Sequence, residues 1–237
     1  MASRKRDFTQ GNILKHLIRF GAPFLLSSFL QALYNVTDMW VVGNFSTVQA
    51  QAGVTNGGQI TNVVVMMVSG LTVGGTIMVG QYFGAKREKD VSETIGTLFS
   101  VLALSALAFT ALIIAFADPI LRLIQTPETV MGEAKNYLVI CMLGNLFVFG
   151  YNAVASVQRG LGDSVWPMIF VGIAALVNLF LDVWLVKGLG MGAAGAAWAT
   201  ITAQGLSVIM AAAYLSRSRF VFDFKLRSLR IHPDKLS

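Results

Sequence analysis

Charge is scarce in this chain. Only 13% of its 237 residues are Asp, Glu, Lys or Arg, against about a quarter in a soluble domain. Cysteine occurs once, at Cys141, which excludes an internal disulfide and a cysteine-based zinc site. Histidine occurs twice, at His16 and His232, too far apart in sequence for a ligand pair on one helix turn. No pocket-forming set of nucleophile and base stands out, so an enzyme is the least favoured class. Basic residues are not interleaved with base-stacking aromatics, which argues against a nucleic-acid partner. The ~10-residue alternation of a membrane barrel is also missing.

What the chain has instead is hydrophobic length. Apolar residues make up 55%, and the charges crowd into Met1–Arg19, Lys86–Glu93, Asp118–Lys135 and Arg217–Lys235. The polar start MASRKRDFTQGN leads into an apolar run too long for a signal-peptide core, which reads as a retained first anchor. A helix crosses the ~30 Å hydrocarbon layer with about 20 residues. Six segments have that length: 17–43, 57–82, 92–117, 136–158, 165–187 and 190–215. The expected organisation is a cytoplasmic segment at 1–16, an all-α bundle of six transmembrane helices at 17–215, and a basic cytoplasmic tail at 216–237.

Orientation follows from the loops. With a cytoplasmic amino terminus, the inside holds Arg4, Lys5, Arg6, Lys15, Arg19, Lys86, Arg87, Lys89, Arg159, Arg217, Arg219, Lys225, Arg227, Arg230 and Lys235. The outside holds Arg122, Lys135 and Lys187. This bias places both ends in the cytoplasm. Small residues four apart, at Gly70/Gly74, Gly80/Gly84, Gly188/Gly192 and Gly192/Ala196, are expected to let helices approach closely. Pro23 removes a backbone hydrogen bond early in the first helix and is a candidate bend.

Two carboxylates interrupt the apolar runs: Asp38 and, within LVNLFLDVWLV, Asp182. An acid at the helix centre costs roughly 2.5–3.5 kcal/mol on insertion scales and marks a functional site by default. Asp38 and Asp182 come late in two helices that leave the cytoplasm, and Thr200 lies about 15 Å below the start of a helix entering from outside. The three are therefore expected at one depth. Gln31, Tyr34 and Asp38 share a face at i, i+3, i+7, and Asn178 precedes Asp182 by one turn. Asn152 is placed to join from the fourth helix. Carboxylates, an amide oxygen and a hydroxyl are the hard ligands that an alkali cation prefers. Low dielectric and mutual repulsion also penalise two charged acids side by side, so the pair is suited to a sodium ion or a proton. The plainer reading is that each Asp caps a helix end or is bonded structurally.

Three motif matches are weaker. GMGAAG at Gly190–Gly195 fits a dinucleotide pattern, but no strand precedes it and no acid follows before Asp223; a hairpin with a close helix contact is the better reading. GLGD at Gly160–Asp163 looks like an intramembrane protease signature, yet it falls in a turn before Trp166-Pro167. Asn35-Val-Thr37 and Asn44-Phe-Ser46 fit the glycosylation pattern.

From about Ile13 to Tyr214 the sequence resembles the amino-terminal half of a multidrug and toxic compound extrusion (MATE) transporter, near the DinF-like branch. The resemblance is carried by FGAPFLLSSFLQALYNVTDMWVVG, GLTVGGTIMVGQYFGAKREKDV, SVQRGLGDSVWP and the pair LVNLFLDVWLV and GAAGAAWAT. It implies a cation site (Na+ or H+) at Asp38, Asn178, Asp182 and Thr200, with Tyr34 and Asn152 in the surrounding network. It further implies antiport of small amphipathic, often cationic drugs across a bacterial plasma membrane, with no cofactor beyond the coupling ion. Family members have two pseudo-symmetric lobes of this size, so a second lobe, in the same parent chain or another subunit, is the expected partner. VFDFKLRSLRIHPDKLS resembles the start of the linker between lobes. A lipid-linked saccharide flippase of the same superfamily, and a fragment without transport, are the alternatives.

Overall fold

The computed structural model describes residues 13–217, and these are almost wholly helical. The expected segments at 1–16 and 216–237 lie largely outside the described residues. Helix α1 runs Ile13–Phe45, α2 Val48–Gly84, α3 Glu88–Ala115, and a short α4 Ala117–Leu123. Then come α5 Glu128–Leu143, α6 Asn145–Gly160, α7 Val165–Asp182, a π-helical turn Val183–Gly188, and α8 Gly192–Arg217. Four of these, counting α7 with its π-turn as one, are long and apolar enough to cross a membrane, or five if the bent pair α5 and α6 forms one span. Among the described residues α1 does not enter that count.

The boundaries differ from the sequence expectation in two informative places. Helix α2 starts nine residues before the expected segment at 57–82, because the Thr47 hydroxyl accepts the Ala50 N–H at 3.1 Å and caps the helix there. The segment expected as one helix at 136–158 is broken after Leu143, and its halves meet at 47°. Gly144 occupies the break; a Cβ there would overlap the Ile201 side chain of α8. Asn145 fastens the elbow to α3, donating to the Ala106 carbonyl and the Thr110 hydroxyl.

Helix α2 is the central strut, packed on α3, α5 and α6, while α7 bridges α1 and α8. Close approach comes at glycines other than most of those expected. A Cβ at Gly53 would sit 2.6 Å from Glu133 Cβ, and one at Gly160 would lie 2.8 Å from the Thr76 carbonyl. Gly70, Gly74 and Gly84 instead face open space. The reason is directional: spacing of four puts two glycines on one face, but does not say which face meets a neighbour. Gly80 does meet the Gly160 carbonyl, and Gly190 and Gly192 take positive φ in the turn that opens α8, as the hairpin reading expects.

Hydroxyls weld α2 to α6. Ser156 donates to the Thr72 carbonyl at 2.8 Å, and the Ser156 and Thr76 hydroxyls are 2.9 Å apart. Ser156→Ala is expected to cost about 1 kcal/mol, the usual worth of a buried interhelical hydrogen bond. A thermal-melt comparison in detergent would read this as a small drop; no change would make the weld dispensable.

Candidate ion-binding site

Asp38 on α1, Asn178 and Asp182 at the end of α7, and Thr200 on α8 come together in the interior. Asn178 and Asp182 are completely buried and Asp38 is 4% exposed. The Thr200 hydroxyl donates to Asp38 Oδ2 at 3.1 Å, and the Tyr34 hydroxyl donates to the Thr200 carbonyl at 3.2 Å. Asp182 and Asn178 are the other polar side chains against the Asp38 carboxyl. The site thus takes residues from three helices.

Local backbone geometry helps to present Asp182. It is the last α-helical residue before the π-turn Val183–Gly188. A π-turn widens the helix and leaves part of its regular ladder unfilled, and such turns recur at functional sites.

The electrostatics are unbalanced. Asp38 Oδ1, both carboxylate oxygens of Asp182 and both amide atoms of Asn178 are buried with no hydrogen-bond partner. Two carboxylates that face each other offer acceptors only, so neither satisfies the other. A proton held between them, or a cation against both, removes the conflict. Among the described residues no three of His, Cys, Asp and Glu cluster. Asp38, Asn178, Asp182 and Thr200 offer oxygen atoms, the hard donors that an alkali cation takes.

The remaining expected residues are placed differently. Gln31 is exposed on α1. Asn152 is half-buried and its amide donates to the Val148 carbonyl of its own helix at 2.8 Å. Pro23 is within α1, and the Ser27 hydroxyl donates to its carbonyl at 2.8 Å. Tyr137 and Cys141 of α5, absent from the sequence expectation, are within electrostatic reach of Asp38. Both are buried and one turn apart. An aromatic and a thiol in an apolar helix look like core, so only the position of α5 brings them near Asp38.

Comparison with known proteins places this geometry. Residues 23–184 match the MatE family profile. "Probable multidrug resistance protein YpnP" of Bacillus subtilis (strain 168) is 32% identical over 215 residues, covering 91% of this chain and 48% of that protein. "DNA damage-inducible protein F" of Escherichia coli (strain K12) is 28% identical, covering 83% of this chain and 43% of its own length. The fold of a crystal structure of MATE in the bent conformation superposes with a TM-score of 0.91 at 20% identity, over all of this chain and 53% of that one. The chain thus spans about half the length of the relatives it matches. With its apolar helices, this makes it a multi-pass membrane protein of a transporter family, not an enzyme: the chain belongs to the MatE family.

Proposed function

We propose that this chain forms the amino-terminal lobe of a cation-coupled multidrug exporter in a bacterial plasma membrane. Sodium or a proton is carried between Asp38 and Asp182, and Asn178 and Thr200 complete the ligand set. The observation that carries the reading is the group of unpartnered buried oxygens on Asp38, Asp182 and Asn178. Taking α5 and α6 as one span and including α1, the lobe has six spans with both ends cytoplasmic, in keeping with the distribution of Lys and Arg. The cargo is a small amphipathic, cationic drug, by analogy with relatives named for multidrug resistance or multidrug export. A second lobe supplies the other wall of its path.

Coupling needs unequal binding. An ion of equal affinity for two conformations shifts neither. Asp38 is on α1 while Asp182 and Thr200 are on α7 and α8, so an ion held by all three ties α1 to the other two. Losing the ion leaves two acidic side chains facing one another and favours their separation. Pro23, with its missing hydrogen bond, is where α1 yields most readily. Inward movement of one positive charge supplies about 2.3 kcal/mol per 100 mV of membrane potential.

Sodium titration of the purified protein, read by thermal stability and sodium-23 NMR, tests the site directly. Thr200→Ala is expected to weaken sodium binding about tenfold, the equivalent of one neutral ligand at ~1.4 kcal/mol. Unaltered affinity would remove Thr200 from the ligand set. A protein indifferent to sodium at every pH, and whose parent-length form exports dye without either ion gradient, would overturn the reading.

A further inference from the structure

We propose that Arg159 binds a phosphate oxyanion, supplied by an anionic lipid headgroup, at the edge between α1 and α6. The inference rests on the chain lying in a membrane and is independent of the ion site.

Arg159 is in the last turn of α6 and is half-buried. Its guanidinium lies over the Phe24 ring of α1, 5.6 Å from the centroid. A ring face offsets only part of the cost of removing a cation from water. Four of the other described cations have carboxylates: Arg87 with Asp90, Lys89 with Glu93, Arg122 with Glu128 and Lys135 with Asp118; Lys187, like Arg159, lies over a ring, that of Phe45 at 4.5 Å. Among the described residues no such ion pair involves Arg159.

The neighbouring acceptors are already engaged. A basic residue at a helix end normally meets the last carbonyls. Here Leu161 N–H takes the Val157 carbonyl, Gly162 N–H that of Arg159, and Asp163 N–H that of Gln158. Asp163, the nearest acid in sequence, accepts the Val165 and Trp166 N–H groups with Oδ1 and the Tyr214 hydroxyl with Oδ2. The Tyr151 hydroxyl, near enough to Arg159 to interact electrostatically, donates to the Pro167 carbonyl. The guanidinium therefore keeps donors for an outside group.

Its position identifies that group. The turn between α6 and α7 marks one end of the bundle, where Trp166 stacks on Tyr214 with ring centroids 4.7 Å apart. Aromatic residues of this kind sit at headgroup level. Phe24, under the guanidinium, and the next residues of α1, Leu25 and Leu26, are apolar and exposed, as for a surface that meets acyl chains. Arginine presents a planar fork of donors matched to phosphate. A lipid phosphate at this height has its tails against α1.

The test compares the wild type with Arg159→Gln and Arg159→Lys in mixed micelles. The probes are dioleoyl phosphatidylglycerol, dioleoyl phosphatidylcholine and inorganic phosphate. Phosphatidylglycerol is expected to raise the wild-type Tm by about 3 °C over phosphatidylcholine, with at least half of that shift lost in Arg159→Gln and an intermediate value in Arg159→Lys. An equal, Arg159-dependent shift with inorganic phosphate would keep the oxyanion site but overturn the lipid as its source. The same shift in wild type and Arg159→Gln, or none in either, would overturn the site. Should Arg159→Gln fail to fold, Phe24→Leu serves: it leaves the charge, removes the ring, and must retain or enlarge the lipid response. Loss of the response in Phe24→Leu overturns the proposal.

Discussion

Asp182→Asn is expected to abolish the sodium response of the purified protein while leaving it folded. The exchange keeps the size of the side chain and one acceptor oxygen, but deletes one of two negative charges. A unit charge about 4 Å from a cation, at an effective dielectric constant near 20, is worth about 4 kcal/mol. That corresponds to roughly a thousandfold in affinity. The sign of the stability change makes the result specific. In sodium-free buffer at high pH the wild type retains two carboxylates that face one another, and Asp182→Asn relieves that opposition. The variant should therefore melt higher than the wild type without sodium, and fail to gain from its addition. A variant that melts lower and still responds to sodium would assign Asp182 a purely structural role. In the parent-length protein, ion-driven efflux should vanish with insertion unchanged.

Gly53→Val is expected to prevent accumulation of folded protein, whereas Gly74→Ala should be neutral or slightly stabilising. At Gly53 an added Cβ meets the Glu133 Cβ at 2.6 Å and the Ala134 nitrogen at 2.9 Å. The obstacle includes backbone, so no rotamer change relieves it, and overpacking of this kind costs about 1–3 kcal/mol or more. One turn on, a Cβ at Gly57 would lie 2.9 Å from the Tyr137 ring. Separating α2 from α5 would thus disturb a ring near Asp38 as well as the bundle. At Gly74 nothing lies within 4 Å, and alanine improves helix propensity by up to about 1 kcal/mol. Fluorescence-detected size exclusion of tagged variants would compare the two. Equal yields would show that α2 and α5 do not rely on this contact.

The legible part of the site was the part that violates its surroundings. Asp38, Asn178 and Asp182 are polar groups in runs that are otherwise apolar, and helical periodicity with loop charges sufficed to expect them at one depth with Thr200. Tyr137 and Cys141 break no rule of composition; only the placement of α5 in the bundle brings them within electrostatic reach of Asp38. The bend between α5 and α6 is itself hidden. Gly144 is one glycine among many, and its meaning comes from Ile201, distant in sequence. Gln31 shares a helix face with Tyr34 and Asp38 by periodicity, yet it is exposed, because seven residues also move about 10 Å along the axis and a shared face does not say where a neighbour covers it. The same limit explains why four-residue glycine spacing did not select the tight contacts.

The Ile201 wedge at the α5–α6 elbow has a consequence for affinity. Ile201 follows Thr200 directly, so the notch left by Gly144 sets the rotation of α8 and, with it, the aim of the Thr200 hydroxyl at Asp38. Filling the notch would turn that helix like a key in the wrong lock, and sodium affinity would fall although every ligand remained in the chain.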